Sequence, residues 1–250
     1  MIIDADCHIS ADPARYGIGI DQLLRQMDAL GVERAVCWPM VSYTREMAAD
    51  VGAIVAGAKA HPDRIIPFGG VNPMLGLERA LAELQRYIEV DGVRGIKLNG
   101  ARDNYCIDDP RLSLPLVEKI AQAGIVLALH CGTPDGEKTH PWRIARISAL
   151  LPELRILVVH MGGGNPTLHE AVVDLAVQHP TWQLVDSEAD YRQILRALQI
   201  LGPRRLCYGS DTPFCPMRYE WGLRQVIYQD LSAEDKALVL GGNIARLLGL

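Results

Sequence analysis

Short runs of apolar residues recur along this chain of 250 residues, and amphipathic segments separate them. Eight runs are long enough to form strands, and most are nearly continuous in apolar residues, as expected of strands that are buried on both faces. We predict strands near Ile2–Asp6, Arg34–Trp38, Ile65–Gly69, Arg94–Leu98, Ile125–His130, Arg155–His160, Trp182–Asp186 and Arg205–Gly209. Because strands alternate with helix-like segments, the sheet is predicted to be parallel.

The segments between the strands predict helices, and two more short helices are expected at the end of the chain. The clearest of them are Ile20–Gly31, Thr44–His61, Leu75–Ile88, Leu112–Ala123, Pro141–Leu151 and Thr167–His179. Eight strand–helix units in 250 residues match the size of a closed (β/α)8 TIM barrel, an α/β fold. A doubly wound sheet is disfavoured, because no GxGxxG motif follows the first strand. We therefore predict a single barrel domain over residues 1–250.

Composition excludes several classes of function. The net charge is −5, so the chain lacks the basic character of a nucleic-acid binder. The apolar runs are far shorter than a membrane span, and no signal-peptide pattern precedes Asp4. The six cysteines include no CxxC pair, which favours reduced thiols and a cytoplasmic protein.

Polar side chains that are costly to bury stand at the predicted strand ends. Side chains alternate along an extended strand, so Asp4, Asp6 and His8 are predicted to share one face of the first strand. The fifth strand ends on His130, the sixth strand ends on His160, and the eighth strand leads into Asp211. Alone, each residue has a structural alternative, such as a turn cap or a hydrogen-bonded histidine. Together, converging imidazoles and carboxylates favour a divalent metal among them.

The remaining histidines do not fit this pattern. His61, His169 and His179 are predicted to be surface or capping residues. His140 lies in the loop after the fifth strand, from which it can reach a substrate.

The motifs at these strand ends resemble those of a known family. The stretches IIDADCH, GIKLN, LALHCG, VVHMGGG, YGSDTPF and NIARLLGL occur in the expected order. They resemble the amidohydrolase superfamily, and within it the amidohydrolase-related group that includes aminocarboxymuconate-semialdehyde decarboxylase. The first motif of that group is usually HxH, whereas Asp6 stands here at the first histidine position.

The resemblance implies roles for the polar residues at the strand ends. It implies one divalent metal held by Asp6, His8, His130 and Asp211, and it implies that His160 polarises or protonates the substrate. Zinc is favoured, and the oxygen ligand Asp6 makes manganese or iron plausible as well. In some binuclear relatives a fourth-strand lysine is carboxylated and bridges two metals, but we favour one metal, with Lys97 as a structural or substrate-contacting cation.

Three kinds of function remain open at this stage. We favour a hydrolase of a small amide, lactone or ester, in which a metal-activated water attacks, Asp211 moves its proton and His160 stabilises the oxyanion. The alternative is a non-oxidative decarboxylase of an aromatic or unsaturated carboxylic acid. A barrel that binds a ligand without catalysis is the third.

Substrate contacts are the least constrained prediction. The candidates are Lys97, Asn99, Arg102, Arg218 and Trp38. The basic residues suit a substrate carboxylate, and Trp38 can stack on a planar substrate or pack in the core. The expected partner is a small molecule, with no nucleic acid and no membrane, and a homodimer is the default assembly.

Overall fold

The computed structural model describes residues 1–40, 46–214 and 218–250, with the backbone alone for 218 and 219. Eight parallel strands follow one another around a single sheet in chain order. They are β1 (Ile3–Ile9), β2 (Arg34–Pro39), β3 (Ile65–Gly70), β4 (Gly95–Leu98), β5 (Val126–Gly132), β6 (Ile156–Gly163), β7 (Trp182–Val185) and β8 (Leu206–Cys207). The sheet closes where Ala5 N donates to Tyr208 O at 3.0 Å and Cys7 bridges Thr212. The predicted (β/α)8 barrel is confirmed.

Helices surround the strands. They are α1 (Ile20–Leu30), α2 (Ala48–Ala60), α3 (Leu77–Arg86), α4 (Gly100–Asp103), α5 (Leu114–Gln122), α6 (Pro141–Leu150), α7 (Pro166–Gln178), α8 (Tyr191–Leu201), α9 (Arg218–Ile227), α10 (Ala233–Ala237) and α11 (Asn243–Leu248). Among the described residues no helix is both long and apolar enough to cross a membrane.

Several predicted boundaries need correction. The eighth strand is only Leu206–Cys207, because the chain then turns into the polar segment that carries Asp211. The second predicted helix begins at Ala48, and its predicted start at Thr44 lies outside the described residues. The helix ranges given in the prediction do not include α4, α8 or α9.

The core has two layers. Alternate residues of the strands fill the barrel interior, among them Ala5, Trp38, Phe68, Ala128 and Val159. Residues of α11 belong to the same cluster. A second cluster lies between the outer faces of the strands and the helices, where apolar stripes recur with helical spacing. The interior is therefore filled by packed side chains, and the polar groups gather where the strands end.

Candidate active site

Three polar side chains converge where β1 and the segment after β8 end. Asp6 and His8 come from β1, and Asp211 follows β8 by four residues. All three are buried, and one ligand atom from each lies within 4.8 Å of the others. His8 Nε2 is 3.7 Å from Asp6 Oδ1 and 3.4 Å from Asp211 Oδ1. The structure thus brings together three of the predicted site residues.

The first strand does not keep the predicted alternation. Its register against β2 shifts between Asp4 and Cys7. As a result Ala5 packs in the barrel interior, whereas Cys7 packs in the cluster that contains residues of α1. The Asp4 carboxylate instead accepts the backbone N–H groups of Asp6 and Ser210 at 3.0 Å each. The prediction that Asp4 shares the face of Asp6 and His8 is therefore wrong.

The orientation of His8 follows from its two neighbours. Its Nδ1 lies 2.9 Å from Pro39 O and donates to that carbonyl, so Nε2 is the acceptor nitrogen of the neutral ring. The Trp38 indole donates to this Nε2 at 3.1 Å. Trp38 is 0 % exposed and packs in the barrel interior, which is the alternative to substrate stacking that the sequence left open, and its indole orients His8.

His130, on β5, was predicted as a further ligand, but it is not in the group of described residues whose ligand atoms lie within 4.8 Å of one another. Its Nε2 donates to Thr133 O at 2.8 Å, and its Nδ1 is buried without a hydrogen-bond partner in the described part of the chain. The His130 ring packs edge-on against the His160 ring, with centroids 4.7 Å apart. An unpartnered buried lone pair is costly unless a donor or a cation meets it.

His160 stands on a strained turn at the end of β6. It has a φ of 73° and Met161 has a φ of 50°, in the left-handed region that non-glycine residues rarely adopt. Gly162 follows at a φ of 80°, and a Cβ there would lie 2.5 Å from His169 N. His169 Nδ1 donates to Met161 O at 3.0 Å. His169 is thus buried beneath this turn, which corrects the prediction of a surface or capping residue.

Sequence reasoning also missed Ser187, two residues after β7. Its buried Oγ lies 2.5 Å from Asp6 Oδ2 and 2.9 Å from His160 Nδ1. A serine after a strand is too common for the sequence to mark it. The only signal is its position at the same end of the barrel as the other polar groups.

Burial and one cation dominate the electrostatics. Desolvation, followed by the charge of Lys97, lowers the pKa of His8 to about 4 and that of His130 to about 3. Burial likewise lowers the pKa of His160 well below its usual value. The three imidazoles are therefore neutral near pH 7, as metal ligands and proton acceptors must be.

Lys97 is a buried cation at this site. Its Nζ lies 3.8 Å from Asp6 Oδ1 and 3.9 Å from the centroid of the Trp38 ring. Among the described residues it has no hydrogen-bond partner, and burial lowers its pKa. The ammonium is thus stabilised by the Asp6 carboxylate and by the face of the Trp38 ring, and its N–H groups donate no hydrogen bond to the described residues.

Two of the predicted substrate contacts, Lys97 and Asn99, line one small cavity. Its volume is about 20 Å³, room for about one water, and its lining includes His8, Lys97 and Asn99. Asn99 caps α4 by accepting from Arg102 N at 3.2 Å. The partly buried Arg102 contributes to the lowered pKa values of His8 and His130. The side chain of Arg218 lies outside the described residues.

The donor set fits a divalent cation. Asp6 Oδ1, like His130 Nδ1, is buried without a hydrogen-bond partner among the residues described. His8 Nε2 and the facing oxygens of Asp6 and Asp211 are acceptors that repel one another unless a proton or a cation lies between them. Their spacing within 4.8 Å suits ligands about 2.0–2.3 Å from a shared ion. Mixed nitrogen and oxygen donors suit zinc, manganese or iron, and the arrangement does not choose among them.

One curated protein is similar in sequence to this chain. The 2-amino-3-carboxymuconate-6-semialdehyde decarboxylase of Dictyostelium discoideum is 26% identical over 228 residues, which cover 76% of this chain and 62% of that protein. The chain thus matches less than two thirds of that relative's length.

Solved structures share the fold. An uncharacterised TIM-barrel protein from Bordetella bronchiseptica superposes with a TM-score of 0.80 at 22% identity, covering 99% of this chain and 98% of the other. The 5-carboxyvanillate decarboxylase from Sphingomonas paucimobilis superposes with a TM-score of 0.75 at 16% identity, and the match covers 100% of this chain and 99% of that one. A model of the amidohydrolase family matches residues 3–250. The chain therefore belongs to the amidohydrolase family.

Proposed function

We propose that this protein is a metal-dependent decarboxylase of a small aromatic or unsaturated carboxylic acid. The sequence alone favoured a hydrolase of an amide, lactone or ester, and the decarboxylase was the alternative. The relative from Dictyostelium discoideum is named a decarboxylase, which favours the alternative.

The observation that carries the proposal is the Lys97 ammonium. It is buried beside the candidate ligands, lines the small cavity and has no hydrogen-bond partner among the described residues. A buried ammonium with unused donors is costly, and an anionic substrate offsets that cost. A neutral amide or ester carries no negative charge that would offset this cost. The partly buried Arg102 adds a second positive charge near the same imidazoles.

The candidate ligands are Asp6, His8, His130 and Asp211. A divalent cation at this position would supply positive charge that orients an anionic substrate and offsets the negative charge left when the carbon–carbon bond breaks. The neutral state of His130 keeps its Nδ1 lone pair available for such a cation, whereas at His8 the cation would displace the Trp38 indole, which donates to Nε2. We retain zinc as the first expectation, with manganese or iron as alternatives.

The protein's own groups must then handle one proton. In decarboxylation the bond to the carboxyl carbon breaks, its electron pair remains on the substrate carbon, and CO₂ leaves. That carbon takes up a proton, so the site needs an acid beside it. The carboxyl of Asp211 and the Nε2 of His160 are the proposed carriers. Because the His160 imidazole is neutral near pH 7, its Nε2 would first take a proton from water and then deliver that proton to the carbon. Lys97 would bind the substrate anion through its ammonium group, and the anion would then not keep its shell of water.

The test is a product analysis on the metal-loaded protein. We expect CO₂ release from at least one member of a panel of aromatic and unsaturated carboxylates, with deuterium from D₂O at the carbon that lost CO₂. Asp211→Asn should remain folded and lose turnover. His61→Gln, at the end of α2, should keep it. If the protein opens lactones or releases acid from amides, and releases no CO₂ from any carboxylate, the proposed decarboxylase is wrong and the hydrolase is favoured.

A further inference from the structure

Ser187 connects two groups of the site that make no direct hydrogen bond to each other. Its hydroxyl lies 2.5 Å from Asp6 Oδ2 and 2.9 Å from His160 Nδ1. The Asp6 and His160 atoms themselves are 3.6 Å apart, which is too long for a direct hydrogen bond. The serine hydroxyl therefore links a candidate metal ligand to the histidine of β6.

The direction of both hydrogen bonds follows from counting protons. A carboxylate oxygen can only accept, so the Ser187 hydroxyl must give its single proton to an ionised Asp6. The Ser187 oxygen then has only lone pairs left for His160. Nδ1 of His160 must accordingly carry a hydrogen and donate it. This assignment is the same for a neutral and for a protonated imidazole.

The two bonds leave one atom on each partner that Ser187 does not occupy. Asp6 Oδ2 is occupied by Ser187, so Oδ1 remains for a cation; it has no hydrogen-bond partner in the described part of the protein and lies 3.8 Å from Lys97 Nζ. Nδ1 of His160 is likewise occupied, and Nε2 is the only ring nitrogen left to exchange a proton or a hydrogen bond with a bound molecule.

The backbone that carries Ser187 is itself fixed. Asp186 N donates to Cys207 O at 3.0 Å, and Asp186 Oδ1 accepts Gly209 N at 2.8 Å. These bonds tie the end of β7 to the end of β8, so the hydroxyl is presented from a rigid part of the barrel. A side chain anchored in this way can hold its neighbours within the narrow geometry that a metal ligand requires.

We propose that Ser187 is a positioning residue that presents Asp6 Oδ1 to the metal and Nε2 of His160 to the substrate. Its catalytic consequence rests on the proposed function, whereas the hydrogen-bond directions and the effect on metal binding do not. Hydrogen bonds that orient metal ligands are worth about 10–100-fold in metal affinity. We expect Ser187→Ala to weaken zinc affinity by that factor and Ser187→Thr, which keeps a hydroxyl, to recover most of it.

The experiment uses the full-length protein labelled with ¹⁵N at histidine, both metal-free and zinc-loaded, without substrate. Long-range proton–nitrogen correlation spectra report which ring nitrogen carries hydrogen, and the His160 signals are assigned by their loss in His160→Gln. Chelator competition measures zinc affinity. The matched control is Ser148→Ala, since Ser148 is also buried and accepts a hydrogen bond, from Trp182 Nε1 at 2.7 Å, away from the site.

The expected result is His160 protonated at Nδ1 in the wild-type protein, with a loss of zinc affinity in Ser187→Ala and none in Ser148→Ala. His160 protonated at Nε2 alone in the wild type would overturn the proposal, and this reading does not depend on the folding of Ser187→Ala. Equal zinc affinities for the two alanine variants would overturn it as well. If the tautomer and affinity results hold but no carboxylate releases CO₂, the proposed function fails and the role of Ser187 stands.

Discussion

Asp4 offers a direct measure of what holds the candidate ligands in place. Its fully buried Oδ1 accepts the backbone N–H groups of Asp6 and Ser210, each at 3.0 Å. Asp6 is a candidate ligand and Ser210 precedes the candidate ligand Asp211. One oxygen atom therefore ties the two ligand-bearing segments together across the closure of the barrel.

The cost of removing this oxygen can be worked from those two bonds. Asp4→Ala leaves two buried N–H donors without an acceptor, at about 1–3 kcal/mol each, so we expect a loss of about 2–6 kcal/mol in the free energy of unfolding. Asp4→Asn keeps an acceptor at the Oδ1 position. Burial raises the pKa of Asp4 to about 7, so the fold already accommodates a neutral group here, and we expect a change within about 1 kcal/mol.

Urea unfolding in the presence of a chelator measures this difference without a contribution from bound metal. Zinc affinity, measured separately, should fall in Asp4→Ala and change little in Asp4→Asn, because only the alanine releases Asp6 and Ser210. Two variants that lose equal stability and equal affinity would refute the reasoning, since that result would assign the effect to the lost charge rather than to the lost acceptor.

Three further predictions test the site and its surroundings. His130→Ala should lower zinc affinity about 100-fold or more, whereas the control His140→Ala, which alters only the cap of α6, should leave it unchanged. Equal zinc affinities of the two variants in a chelator titration would remove His130 from the set of candidate ligands. Lys97→Met should raise KM for a carboxylate substrate about 10-fold or more, since a hydrogen bond to a charged group contributes about 1.5–3 kcal/mol. An unchanged KM in steady-state assays would exclude substrate binding by Lys97. Ser148→Ala should cost about 1–3 kcal/mol in urea unfolding, because the buried indole N–H of Trp182 loses its acceptor, and a stability equal to wild type would contradict this.

The fold could be predicted because each strand carries its own signal. Both faces of a parallel strand in a barrel are buried, so runs such as the apolar residues of β5 and β6 stand out from the amphipathic helices. The cluster of Asp6, His8 and Asp211 could be predicted for the same reason, since charged side chains that are costly to bury follow the apolar residues that begin the strand. Chain order in the sheet then brings β8 back to β1, and Asp211 comes with it.

Other features depend on geometry that the sequence does not express. The register shift in β1 turns Asp4 away from Asp6 and His8, and nothing in IIDADCH marks it. His169 is different, because its position was available to sequence reasoning. It lies three and four residues before Val172 and Val173 on α7, and that spacing places it on the buried stripe of the helix.

Backbone strain adds a further argument about His160 and Asp211. They have φ values of 73° and 56°, conformations that cost a non-glycine residue about 1–2 kcal/mol and that glycine adopts freely. Glycine does stand at the neighbouring position 162, where a close backbone contact demands it. Asn104, Met161 and Glu188 have positive φ values as well, so among the described residues this strain is not confined to the site. Strain of this kind concentrates at functional sites, and here it includes the two residues to which the proposed function gives the proton.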